Sequence, residues 1–294
     1  MSSNSTTRLA YAAWVAVCLL WGTTYLAIRI ALETVPPMLM GALRWTAAGG
    51  FILGVMKLRG DRVPGRQEWP ALAVLGILLI GFGNGGVVWA EQTLPSGLTA
   101  LLVAVIPFWM IALERMTGDR SPLTLRRLAG LLVGFGGIVL LVWPELEVEG
   151  GRAFLLGILA TQVACVGWAI GSSYSRRRPP AENVLAVAAF QMLFGGIAMA
   201  FASLVHREWA QLAFNPRTAS ALGYLVVFGS LAGFSAYAYA LKHLPVATVS
   251  LYAYVNPIIA VILGSLVLQE PFTARIAIAA AIVLAGSALV KTAR

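Results

Sequence analysis

The sequence predicts an all-α integral membrane protein of ten transmembrane helices, arranged as two inverted five-helix repeats. Three observations predict it. Of 294 residues, 59% are hydrophobic and 11% charged, with a mean hydropathy of +0.83, whereas water-soluble domains hold about 25% charged residues. Apolar runs of membrane-spanning length follow one another with short connections. A set of landmarks also recurs in the same order in the second half of the chain.

The runs are bounded by charge, Pro or Gly and lie at 9 to 32, 37 to 57, 69 to 91, 96 to 115 and 125 to 143, then at 153 to 174, 182 to 205, 218 to 241, 246 to 268 and 272 to 291. A span needs roughly 20 apolar residues, so ten of them leave no room for a soluble catalytic domain. The opening Met-Ser-Ser-Asn-Ser-Thr-Thr-Arg lacks the charged start and small-residue site of a cleavable signal, so the first run is expected to remain as a span.

Orientation follows from Lys and Arg, which collect on the cytoplasmic side. With the N-terminus inside, that side receives Arg8, Lys57, Arg59, Arg62, Arg66, Arg115, Arg120, Arg126, Arg127, Arg176, Arg177, Arg178, Lys242, Lys291 and Arg294. The outer side receives Arg152, Arg207, Arg217 and Arg275, together with Glu145, Glu147 and Glu149. The net charge of +9 would suggest nucleic acid in a soluble protein. Here it marks loops, and no nucleic-acid partner is expected.

The repeat is carried by Leu94-Pro95 and Leu244-Pro245, Pro107 and Pro257, Pro122-Leu123-Thr124 and Pro271-Phe272-Thr273, Gly137 and Gly286, and Cys18-x-x-Trp21 and Cys165-x-x-Trp168. It divides the chain at 1–148 and 149–294, two halves of one membrane domain. Five spans is an odd number, so the second copy enters the membrane from the opposite side. Inverted repeats give a carrier two related conformations with a site near the midplane.

Trp21-Gly22-Thr23-Thr24-Tyr25, Arg44, the run Ala240-Leu241-Lys242-His243-Leu244-Pro245, Asn256-Pro257 and Gln269-Glu270-Pro271 resemble the EamA-type transporters of the drug/metabolite transporter superfamily. The likeness covers nearly the whole chain and looks closest to YddG-type exporters of aromatic amino acids. It implies a secondary transporter in a bacterial-type inner membrane, exporting small metabolites by alternating access, with amino acids bearing aromatic or other apolar side chains as the substrate. A broader efflux carrier, or an importer of nucleosides or sugars, is the alternative.

No Asp or Glu lies mid-span, and intramembrane charges usually mark function. Glu91, at a span end, is either interfacial or a coupling residue; Arg29 and Arg44 either snorkel or pair near span ends, or hold an anion or act in gating. Trp14, Cys18, Trp21 and Tyr25 share one helical face, as do Thr161, Cys165, Trp168 and Ser172, and as do Thr248, Tyr252 and Asn256. Asn84, Ser230 and Tyr237 add polar or aromatic groups at depth.

The expected substrate-binding residues are therefore Trp21, Tyr25, Asn84, Trp168, Ser172, Tyr237, Tyr252 and Asn256. Trp21, Asn84, Trp168, Tyr252 and Asn256 are expected around one central cavity. The alternatives are core packing for the tryptophans and helix-to-helix hydrogen bonding for the asparagines. Trp69, Trp143 and Trp209 read as interfacial belt residues.

Pro107 and Pro257 are expected to kink their spans at matching depths. Gly81-x-x-x-Gly85, Gly130-x-x-x-Gly134 and Gly229-x-x-x-Gly233 are expected to let helices approach closely. Two cysteines inside apolar runs build neither a disulfide scaffold nor a metal cluster, so no metal or cofactor is expected. No intramembrane metal motif, paired aspartates or Ser/His pair is present, which disfavours an enzyme; the duplication disfavours a channel. The charge count makes one expectation measurable: tags at Met1 and Arg294 should both report the cytoplasm, and a split result would overturn the ten-span assignment.

Overall fold

A computed structural model describes residues 3–117, 124–142, 151–177, 183–249 and 251–292. Arg120, Pro122, Leu123, Trp143, Glu145, Glu147, Glu149, Arg178 and the two tag positions lie outside these. Among the described residues there is helix and no strand.

The first run forms α1 (Ser3–Gly22) and α2 (Thr24–Ala31), which meet at Thr23. The Thr23 hydroxyl donates back to the Leu19 and Leu20 carbonyls at 3.1 and 2.8 Å, a contact that bends a helix. Then comes α3 (Pro37–Arg59), with Pro37 at its first position and Gly60 closing it in the left-handed conformation at φ 70°. The third run is α4 (Trp69–Gly76), a π-helical segment (Ile77–Asn84) and α5 (Gly85–Ala90). The fourth is α6 (Ser96–Val103) and α7 (Ile106–Met116), interrupted just before Pro107. The fifth is α8 (Leu125–Val142).

The second half opens with the unbroken α9 (Gly151–Arg176). Asn183 accepts from the Leu185 and Ala186 amides to start α10 (Val184–Val205). Asn215 and Thr218 form a reciprocal capping box at α11 (Pro216–Tyr224), which continues through a second π segment (Leu225–Ala232) into α12 (Gly233–His243). Short α13 (Val246–Val249) precedes α14 (Tyr252–Leu268), which contains Pro257, and α15 (Ala274–Thr292) is last.

Among the described residues, seven helical stretches are long and apolar enough to cross a membrane, and three shorter apolar helices, Leu128–Leu140, Tyr252–Leu268 and Ala274–Val290, accompany them. Phe51, Leu132, Phe135, Phe201 and Leu266 are each at least 60% exposed, an outward apolar face suited to lipid rather than water. Trp69 and Trp209 are exposed as belt residues would be.

Packing pairs elements from the two halves: α3 with α10, α8 with α15, α1 with α12, and α9 with the first π segment. The α3–α10 contact holds the largest buried cluster, built on Trp45, Ile52, Met192 and Met199. The glycine motifs divide in behaviour. A Cβ on Gly130 would meet the Gly286 carbonyl and the Val290 amide nitrogen at 2.8 Å, so α8 and α15 touch through backbone. Gly81 and Gly85 instead leave room for a methyl and border an apolar cavity of about 420 Å³ beside Phe82, Ala198 and Met199. Close helix approach at that pair is therefore not what the structure has.

Gly130→Leu is expected to force α8 from α15 and lower stability by about 1 to 3 kcal/mol, seen as a lower Tm in detergent. Gly136→Ala, with nothing within 4 Å, should leave Tm within experimental scatter.

Candidate functional site

Aromatic side chains from three helical runs meet in the interior. Trp21, at the end of α1, has its ring 5.1 Å from Phe234, 5.1 Å from Tyr237 and 4.9 Å from Tyr252, the last nearly edge-on at 84°. Tyr237 and Tyr252 are 6.0 Å apart, and Phe234 reaches Trp45 of α3 at 5.8 Å. Tilted and edge contacts at these separations are favourable for aromatic quadrupoles. The second π segment anchors the nest, because the Trp21 indole donates to the Gly229 carbonyl at 3.1 Å. Glycine at 233 makes the approach possible: a Cβ there would lie 2.5 Å from the indole nitrogen.

Polar side chains answer the carbonyls that helix interruptions release, as a water-free interior requires. With its amide nitrogen turned toward two carbonyls, Asn256 donates to Tyr252 at 3.0 Å and to Cys18 at 3.1 Å, fastening α14 to α1. Trp14 donates to Val249 at 3.2 Å, and Ser287 of α15 donates to Ala104 at 2.9 Å, beside the break before Pro107. The Cys165 thiol lies 3.7 Å from the Leu102 carbonyl on the other side of that break.

Ionisable side chains are also buried in the bundle. Glu91 is 0% exposed and Arg44 3% exposed. Arg44 extends from the middle of α3, donates from Nε to Ser230 Oγ at 2.9 Å, and stacks over the Trp45 ring at 4.2 Å. Arg29 donates through Nη1 to the Glu91 backbone carbonyl rather than to its carboxylate. Tyr25 lies within electrostatic reach of Glu91 and of Tyr252.

The structure thus brings Trp21, Tyr25, Tyr237, Tyr252 and Asn256 together. Trp168 packs elsewhere, on the first π segment, where a Cβ at Gly83 would lie 2.9 Å from its ring; Asn84 ends that segment and is half-buried, as is Ser172 on α9. Sequence reasoning had no role for Glu208, whose carboxylate accepts from the Met38 and Leu39 amides at 3.3 and 2.7 Å and caps α3. Glu270, read as a loop residue, accepts from the Ser96 and Gly97 amides at 2.8 and 3.3 Å and from the Ser96 hydroxyl at 2.9 Å. Asp or Glu near a helix N-terminus is the signal for such caps, but both lie more than 160 residues from the helix they serve.

The EamA-like transporter family matches this chain twice, over residues 8–143 and 155–292. The chain belongs to that family. An EamA relative in Escherichia coli strain K12, the uncharacterized inner membrane transporter YedA, is 34% identical over 262 residues, spanning 87% of this chain and 81% of the relative. The uncharacterized transporter YvbV of Bacillus subtilis strain 168 is 22% identical over 275 residues, 93% of this chain and 88% of the relative. A protein of known crystal structure has a similar fold, with a TM-score of 0.66 at 24% identity over 98% of this chain and 99% of that one.

This EamA protein is therefore a membrane transporter with several spanning helices, and the arrangement above is its candidate substrate region. Asn256→Leu should remove the hydrogen bond that joins α14 to α1 at Cys18, together with one inside α14 at Tyr252, at about 1 to 3 kcal/mol. Thermal unfolding in detergent is expected to show it as a lower Tm, and an unchanged Tm would mean that the amide does not join the helices.

Proposed function

We propose that the protein is a secondary transporter that exports amino acids with aromatic or other apolar side chains across the inner membrane by alternating access. The observation that carries this reading is the interior nest of Trp21, Tyr237 and Tyr252 on a glycine-lined π segment. Rings that present faces and edges to one another also offer stacking surface to an aromatic or aliphatic side chain.

The architecture in this proposal is ten spans in two inverted repeats, 1–148 and 149–294, with both termini cytoplasmic. Two family matches in tandem support the duplication. So does reciprocal packing, since the first span of each half lies against the third span of the other, and a Trp from each first span sits on a π segment there. Rocking of one repeat against the other then opens the nest to each side in turn, with the interruption before Pro107 and Pro257 inside α14 as the places that bend.

Counterflow in proteoliposomes tests the reading. External phenylalanine or leucine should accelerate exit of the labelled internal substrate, as only a carrier allows. Acceleration by nucleosides or sugars, with amino acids inert, would replace the substrate class, and exit indifferent to external substrate would indicate a channel. Tyr252→Ala is expected to raise the KM for an aromatic substrate about tenfold or more, the usual cost of losing an aromatic anchor, at matched membrane expression.

A further inference from the structure

Two ionisable side chains of opposite type, Arg44 and Glu91, lie buried, and neither has its polar atoms satisfied. The Arg44 guanidinium uses Nε on Ser230 and its face on Trp45, yet Nη1 is buried without a hydrogen-bond partner. Glu91 is 0% exposed, and neither oxygen of its carboxylate has a partner. Arg29, Arg44 and Glu270 all lie within electrostatic reach of Glu91. None closes on it: Arg29 is spent on its backbone carbonyl, Arg44 on Ser230, and Glu270 on the first amides of α6.

A buried ionisable group without a partner is expensive, because nothing replaces the water it has lost. A carboxylate and a guanidinium left open in one neighbourhood make a receptor for a ligand with the complementary pair. The nest adjoins Arg44: a Cβ at Gly229 would lie 3.0 Å from Arg44 Nη2, and the Gly229 carbonyl holds Trp21. Glu91 is within electrostatic reach of Tyr25, one helical turn from Trp21 on the same face.

We infer that Arg44 and Glu91 bracket the main chain of an α-amino-acid zwitterion, Arg44 Nη1 donating to the substrate carboxylate and the Glu91 carboxylate accepting from the substrate ammonium. The inference rests on the amino-acid reading above and makes it specific. An apolar side chain on its own is insufficient; the ligand must carry both charges on one carbon, with its side chain turned toward Trp21, Tyr237 and Tyr252. Each charge selects against a different analogue, because a ligand lacking one leaves a buried protein group open.

The test uses purified full-length protein in proteoliposomes, with three competitors of labelled phenylalanine: phenylalanine itself, 3-phenylpropanoate without the ammonium, and phenethylamine without the carboxylate. Wild type should prefer phenylalanine over both. Glu91→Gln should reduce the discrimination between phenylalanine and 3-phenylpropanoate about tenfold or more, the worth of a hydrogen bond to a charged group. Arg44→Met should do the same for phenylalanine against phenethylamine. If Arg44→Met does not fold, Arg44→Lys keeps the charge without the planar fork and should weaken phenylalanine while Glu91→Gln supplies the selectivity change. Loss of transport without change in either ratio, or ratios untouched at full activity, would overturn the bracket and leave the amino-acid reading standing. Wild type that exchanges other metabolites and no amino acid would overturn both.

Discussion

A helix interrupted inside a membrane releases backbone carbonyls that water cannot reach, and this constraint organises the interior of the protein. Carbonyls in the interior are met by side chains from another run: Trp21 at Gly229, Trp14 at Val249, Ser287 at Ala104, and Asn256 at Cys18. The bonds join residues far apart in the chain, so they tie the two halves together while allowing each run to bend. Without them, the breaks that give the bundle its bendable places would be unaffordable in a low-dielectric medium.

The same constraint explains which expectations the structure meets. Apolar length and loop charge are one-dimensional signals, and the helices begin and end where Pro37, Gly60, Asn183 and Asn215-Pro216 say they should. The π segments have no comparable signature, since Ile77–Asn84 and Leu225–Ala232 read as ordinary apolar helix. Shared faces on single helices pointed to Trp21, Tyr252 and Asn256, but which helices face each other is a tertiary fact. That is why Trp168 matched Trp21 in sequence and packs on a different segment. Asn256 illustrates the limit further: its type required a partner, and the structure alone names the carbonyls.

Depth is the other quantity that position along a run conveys poorly. Glu91 directly follows α5 and would be interfacial on a straight, isolated helix. It is buried because the turn that follows folds inward, with Leu94 fully buried, and Arg29 is drawn onto its carbonyl. Arg44 lies within α3, where it meets the Ser230 hydroxyl and the Trp45 face. An interior that looked nearly free of charge by composition thus concentrates its few charges beside its aromatic rings.

The two glutamates that cap distant helices introduce a mechanical asymmetry. Glu208 and Glu270 each follow a residue with φ of 54°, Arg207 and Gln269, a backbone turn that throws the carboxylate sideways onto α3 and α6 respectively. The N-termini of α3 and α6 lie at the same end of the bundle if the chain crosses from end to end with each run. Both latches join a loop of the second half to a helix of the first. Parting the halves at that end must strip two carboxylates from their amides, at about 1.5 to 3 kcal/mol for each bond to a charged group. The bundle is therefore latched at that mouth by two side chains, a bias in its resting shape.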